Sequence, residues 1–248
     1  MKRIFTLLFA IQITFILFAN DLSCQDLNKT RTEENKLQIF LSKASAGDFI
    51  VAESGKLLTV ISIRSISPKS VVLEEISAPI KNIKPRPSSW KDWVKNKSPG
   101  HSSWSLIEID LGTGEILKCY SFSRSSHIQI TSKESLFATL LQLPLKAVPS
   151  DKRRRIGPPP SSGESDFRKL WQPPLVFEGT PVKNSSFHVF ETNWPKDGTE
   201  LEGKEITLYF DQDMRIPLPF WIQAETAHAT FHLRTIDSGK NLSSPMRY

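Results

Sequence analysis

The sequence predicts an α+β fold dominated by antiparallel β-sheet, with two amphipathic helices and long proline-rich loops. Three observations carry this. Apolar and β-branched residues recur in short runs separated by turn residues. Only two stretches hold helical spacing, and prolines, 17 in all, gather in the connections. The sheet is expected to be open or to curl into a half-open barrel. A membrane-spanning barrel is disfavoured by the prolines and by too few ten-residue alternating strands.

The chain opens with a leader. Met1-Lys2-Arg3 is a short positive start, Ile4 to Ala19 is apolar apart from Thr6, Gln12 and Thr14, and Asn20-Asp21 is polar. That order is expected of a secretory signal over residues 1–19, and the apolar run is shorter than the ~20 residues that cross a bilayer comfortably. Cleavage is expected after Ala19 or near Cys24. Leu22-Ser23-Cys24 has the last steps of a lipidation site, although Asp21 sits where that pattern wants an aliphatic residue. Cys24 and Cys119 permit at most one disulfide, so stability must come from a core. The exported chain is expected in the periplasm, at the outer membrane, or secreted. Asn28, Asn184 and Asn241 begin short glycosylation patterns that arise readily by chance.

Residues 30–78 should form a helix and a three-strand meander. Leu37, Phe40, Leu41 and Ala44 make the helical stripe, with Thr30 and Glu33 as its capping box and Gly47 as its stop. Strands follow at Phe49 to Val51, Leu57 to Ile63 and Val71 to Ile76, with turns at Glu53-Ser54-Gly55 and Ser67-Pro68-Lys69. Residues 79–143 hold a proline linker in which Ser89 caps a short helix bearing Trp90, Trp93 and Val94. A hairpin then turns at Gly112-Thr-Gly114, and a helix runs from a Thr131/Glu134 capping box to Leu143, ahead of Pro144. Cys119 shares a strand face with Leu117 and reads as a small buried hydrophobe.

Residues 144–184 are irregular and basic, with one helical turn at Phe167, Leu170 and Trp171 packed back on the body. Residues 185–240 return to strands at Phe187 to Glu191, Glu205 to Asp211, Phe220 to Ala224 and Ala227 to Arg234, and 241–248 is a tail. In the last strand Ala229, Phe231 and Leu233 should face the core, with His228, Thr230, His232 and Arg234 opposite.

No constellation of catalytic residues stands above its structural explanation. His228 and His232 lie about 13 Å apart along a strand, too far for one metal ion. Asp211-Gln-Asp213 lacks the glycine and terminal glutamate of a calcium loop and reads as a solvated turn. There is no phosphate-binding glycine loop and no nucleophile elbow, so no cofactor or metal is expected. A hydrolase would need two of Glu108, Asp110, His127, His188 and Asp211 in hydrogen-bond reach within a polar cleft.

The net charge is +6, and without residues 1–24 it is 30 minus 25, or +5. Lys152, Arg153, Arg154 and Arg155 form one block suited to an anionic membrane surface. Nucleic acid is not expected. Aromatic residues crowd the connecting segments, and Trp90, Trp93, Trp104, Trp171, Phe220 and Trp221 are candidates to line a ligand groove.

Several stretches carry a resemblance. Gly47-Asp-Phe-Ile-Val51, Pro99-Gly-His-Ser-Ser-Trp104, Ile109-Asp-Leu-Gly-Thr-Gly-Glu115, Leu170-Trp-Gln-Pro-Pro174, Trp194-Pro-Lys-Asp197 and Ile236-Asp-Ser-Gly239 resemble uncharacterised exported proteins of intracellular Gram-negative bacteria. Leu208-Tyr-Phe-Asp211 with Pro219-Phe-Trp-Ile222 is similar to periplasmic lipoprotein carriers of the LolA/LolB type. That likeness implies a half-open barrel with a helical lid holding acyl chains, although the three-strand meander and the long proline-rich insertion depart from such a plan. Together these features point to a non-enzymatic envelope protein binding a lipid-like ligand or an envelope partner, with a hydrolase of cell-wall or host material as the alternative.

Overall fold

The computed structural model describes residues 36–225 and 230–247. The expected leader at 1–19, Cys24, the Thr30/Glu33 box, His228 and Ala229 lie outside the described residues.

Two meanders build one sheet. The first runs β1 (Phe49–Ser54), β2 (Leu57–Ile66), β3 (Ser70–Pro79), β4 (Ser103–Asp110), β5 (Ile116–Ser121) and β6 (Ser126–His127). The second begins at β7 (Lys146–Ala147). After a separate ribbon of β8 (Val176–Phe177) and β9 (Thr180–Pro181), it continues through β10 (Phe187–Asn193), β11 (Glu205–Asp211), β12 (Trp221–Glu225) and β13 (Thr230–Gly239). The spatial order is β6-β5-β4-β3-β2-β1-β13-β12-β11-β10-β7, antiparallel throughout. The sheet is therefore open, with β6 and β7 at its edges and the first and last long strands paired at its centre. Among the described residues nine strands reach five residues or more, the number the alternating runs predict.

Alternation decides which face each strand buries. On one face Ile50, Ile61, Ile63, Leu73, Ile107 and Ile109 meet α1 (Lys36–Leu41) and α3 (Leu136–Leu141). The same core continues into the second meander, where Phe40 packs against Phe190 and Phe210 at ring separations of 5.6 and 4.5 Å. The opposite face of the first meander carries a second cluster: Phe49, Val51, Val60 and Ile76 under α2 (Trp90–Lys95) and Leu242. As the sequence predicts, the Ser89 side chain caps α2, accepting from the Asp92 N–H.

Several expectations are corrected. Helix α1 ends at Leu41, well before Gly47. Gly47 has φ +88°, and a Cβ there would come within 3.0 Å of the Asn241 and Leu242 backbone, so its task is to let the C-terminal segment cross. The Thr131/Glu134 box closes a 3-10 turn at Ser132–Glu134, while Ser135 caps α3 itself. Leu117 does not share the face of Cys119: a register shift between Glu108 and Ile109 leaves Leu117 half-exposed and Cys119 buried. Burial pushes the Cys119 thiol up to about 11, which suits a packing residue.

The expected helical turn at Phe167–Trp171 is absent. Instead Arg155 and Leu170 form a bridge, flanked by Ile156 N–H to Lys169 C=O and Trp171 N–H to Arg154 C=O bonds. Residues 154–171 thus form a ribbon arm, in which the backbone of Lys169 to Trp171 pairs across to residues 154–156 instead of closing a helical turn. Asp211 is not a solvated turn either. It is buried and accepts from both the guanidinium and the backbone N–H of Arg215, brought back by the left-handed Met214 (φ +51°). No described helix is long and apolar enough to cross a membrane.

Candidate functional site

The six aromatic candidates separate into two groups. Trp90, Trp93 and Trp104 belong to the buried cluster outside the first meander. Trp90 and Trp93 meet edge-on at 5.8 Å, and Trp93 donates its indole N–H to the Pro99 carbonyl. Trp104 is buried and donates to Glu74, which is buried too and also accepts from Ser244. The indole N–H groups of Trp93 and Trp104 are thus both spent within the fold. Phe220 is fully buried against Phe187 beneath the second meander.

Trp171 and Trp221 are different. Both are only partly buried, and the structure brings them together from the arm and from β12, edge-on at 5.2 Å. Tyr209 packs against Trp171 at 5.3 Å, and the Arg154 guanidinium lies 4.7 Å from the Trp171 ring centre. On the other side the exposed His232 ring stacks on Trp221, 5.5 Å away and tilted by only 4°. Gln223 accepts the Trp221 indole N–H and donates to Glu225, which fixes the ring's position.

The register then adds charge. Arg234 lies directly across from Trp221 on one side and from Glu53 on the other. Glu53 is buried, yet it receives two arginines: Arg234 at 2.5 Å and Arg86 from the loop before α2. The side chains of Arg86 and Arg234 remain 54% and 46% exposed, so one carboxylate orients two half-exposed guanidiniums. One negative charge against two positive leaves a net positive spot with spare donors, a geometry that suits phosphate or carboxylate oxygens. The outer face of the second meander thus runs from Arg154 through Trp171, Trp221 and His232 to the Arg234–Glu53–Arg86 clamp.

The carboxylates and histidines of the hydrolase reading are dispersed among other tasks. Glu108 accepts from the Ser70 hydroxyl. Asp110 accepts from Gly112 and Thr113, whose bonds hold its carboxyl below the usual range. His127 packs on Tyr120 at the β6 edge, His188 lies beside Phe190, and Asp211 is held by Arg215. Among the described residues no group of three or more His, Cys, Asp or Glu side chains is placed to hold a metal ion.

The basic block is divided as well. Arg153 donates to the Val148 and Phe187 carbonyls, and Arg155 to the Arg168 carbonyl with Asp166 beside it. Only Lys152 and Arg154 are exposed.

Sequence reasoning missed Glu53, Arg86 and Arg234 as a set, and also Glu75. Glu74 and Glu75 are adjacent in β3, so one carboxylate must enter each face. Glu75 turns to the main-core side near Cys119, where burial raises its carboxyl to about 7. The doubled glutamate in an otherwise apolar strand was the available signal.

With this geometry in hand, the relatives can be placed. A family model described as CT021 protein matches residues 59–183, just over half of the chain. The chain belongs to the CT021 protein family. A solved structure, that of the hypothetical protein CT021 from Chlamydia trachomatis at 2.0 Å resolution, is similar over 86% of this chain and 96% of its own. The TM-score is 0.58 at 20% identity, a likeness of fold. No curated protein matches the chain. The sequence resemblance to uncharacterised proteins of intracellular bacteria is thus supported. The family match covers β3 to β9, including Arg86 and Trp171 of the strip, while Trp221, His232 and Arg234 lie beyond it.

Proposed function

We propose that this protein is an exported, non-enzymatic envelope protein that binds an anionic, lipid-like ligand on the outer face of its second meander. One observation carries the reading: two half-exposed arginines share the buried Glu53 carboxylate directly beside the partly exposed Trp221–His232 stack. The clamp matches a phosphate or carboxylate head, and the aromatic rings match an apolar body. His232 and the two arginines are exposed on a sheet face, which suits an amphiphile presented from a surface. The leader expected at residues 1–19 supports export, to the periplasm or the outer membrane. The resemblance of Leu208–Asp211 and Pro219–Ile222 to lipoprotein carriers, a resemblance of sequence alone, is in keeping with a lipid-like ligand.

The test is binding of lysophosphatidylglycerol below its critical micelle concentration, followed by native mass spectrometry and calorimetry. A one-to-one complex is expected, weakened roughly tenfold or more by Arg234→Gln, the scale of a lost charge-assisted hydrogen bond. Lysophosphatidylcholine, with no net charge, should bind more weakly. No complex, or a complex indifferent to Arg234→Gln, overturns the proposal.

A further inference from the structure

The ribbon arm presents apolar side chains to solvent in a way the rest of the fold does not explain. Phe167 is 91% exposed and Ile156 57% exposed. Neither belongs to a core cluster or lies against it. Their surroundings nevertheless are built. Arg155 and Arg168 converge on Asp166, and Arg168 also donates to the Gly157 carbonyl at 2.8 Å, tying the two sides of the arm together. These bonds brace the arm on either side of Phe167, whose own side chain stays exposed.

The charge of the arm and of the segment leading into it is one-sided. From Lys146 to Trp171 there are seven basic residues (Lys146, Lys152, Arg153, Arg154, Arg155, Arg168, Lys169) and three acidic (Asp151, Glu164, Asp166), a balance of 7 − 3 = +4. Lys146, Lys152, Arg154 and Lys169 are exposed. An exposed apolar ring on a cationic element is the combination that seats on an anionic bilayer surface, the ring entering the headgroup boundary while the cations meet the phosphates.

We infer that the 154–171 arm docks the protein on an anionic membrane surface through Phe167, with Ile156 and the exposed lysines beside it. Because Arg154 and Trp171 at the arm's base are also the first members of the aromatic strip, docking brings that strip to the lipid surface. The inference concerns a separate contact from the Arg234–Glu53–Arg86 clamp and stands or falls independently of it.

The experiment uses the exported chain with a Cys24→Ser background and vesicles of one part phosphatidylglycerol to three parts phosphatidylcholine. Co-sedimentation should show binding to these vesicles and little to pure phosphatidylcholine. Phe167→Asp should lower the partition coefficient at least tenfold without moving the denaturant midpoint, since the side chain has no partners in the fold. Lys152→Gln with Lys169→Gln should make binding less sensitive to salt. An environment-sensitive dye on Phe167→Cys, with Cys119 buried and unreactive, should shift to the blue on vesicles. Absence of vesicle binding, equal binding by Phe167→Asp, or an unshifted dye overturns the inference. Lysophosphatidylglycerol binding by monomeric lipid is read separately and reports on the clamp alone.

Discussion

The two meanders treat the same raw material in opposite ways. Each has tryptophans on its outer face. In the first, α2 and the C-terminal segment cover them, and Trp104 is sealed with its indole bonded to Glu74. In the second, the arm covers only the edge, so Trp171 and Trp221 stay partly open and arginines stand at both ends of the row. Aromatic content by itself therefore does not mark a binding face. The proposed binding face rests on incomplete burial together with unspent positive charge.

The largest effect that would break this comparison is on stability. Trp104→Ala should cost about 3–5 kcal/mol, the scale of a large-to-small core change, and it also strips a hydrogen bond from the buried Glu74. Trp221→Ala should cost much less in stability but weaken lysophosphatidylglycerol binding. Denaturant midpoints and calorimetry on both variants check this. Equal stability losses would mean that the two faces are both plugs.

A smaller effect concerns the clamp. Glu53→Gln leaves Arg86 and Arg234 without their shared carboxylate, at a cost of about 1–3 kcal/mol for charge-assisted bonds, towards the lower end because both arginines are half exposed. Arg86→Gln should cost less, since Arg234 keeps the carboxylate paired. Urea unfolding of the two variants orders them. The reverse order would show Glu53 to be a liability in place of an organiser.

A further expected effect is a pH dependence that arises in the first meander. The Glu75 carboxyl is raised from 4.5 to about 7 by burial. Between those values the folded chain holds a proton that the unfolded chain has released, so stability falls as pH rises through that window. Below pH 4.5 this penalty is absent, and above pH 7 it is complete. Glu75→Gln should flatten the slope of the unfolding midpoint between pH 5 and 7. An unchanged slope would place the titration elsewhere.

Much of this architecture is legible in the residues. Alternation in Trp104–Asp110, the Gly112-Thr-Gly114 turn and the Ser89 cap each act locally, and each forms as its chemistry requires. The Gly114 turn carries one further constraint, visible only in three dimensions: its carbonyl accepts from Ser132 and Gln142, tying the hairpin to α3. Half of the strip was legible, since Trp171 stands in a connecting segment and Trp221 opens a strand straight after the Pro217-Leu-Pro219 stretch. The clamp was not. Glu53 and Arg234 are 181 residues apart and meet only through the β1–β13 register, and Glu53 itself reads as a turn residue until β1 is seen to extend through Ser54. Phe167 misled for a related reason. Its spacing from Leu170 and Trp171 is helical, but long-range pairing through the Arg155–Leu170 bridge imposes a ribbon.

Hydrogen–deuterium exchange with and without lysophosphatidylglycerol tests the central claim most directly, because it reads both faces in one experiment. Slowed exchange is predicted in residues 221–225 and 230–236 and at the arm's base around Trp171, with residues 90–104 unchanged. Protection of the Trp90–Trp104 plug with no change along β12 and β13 would contradict it.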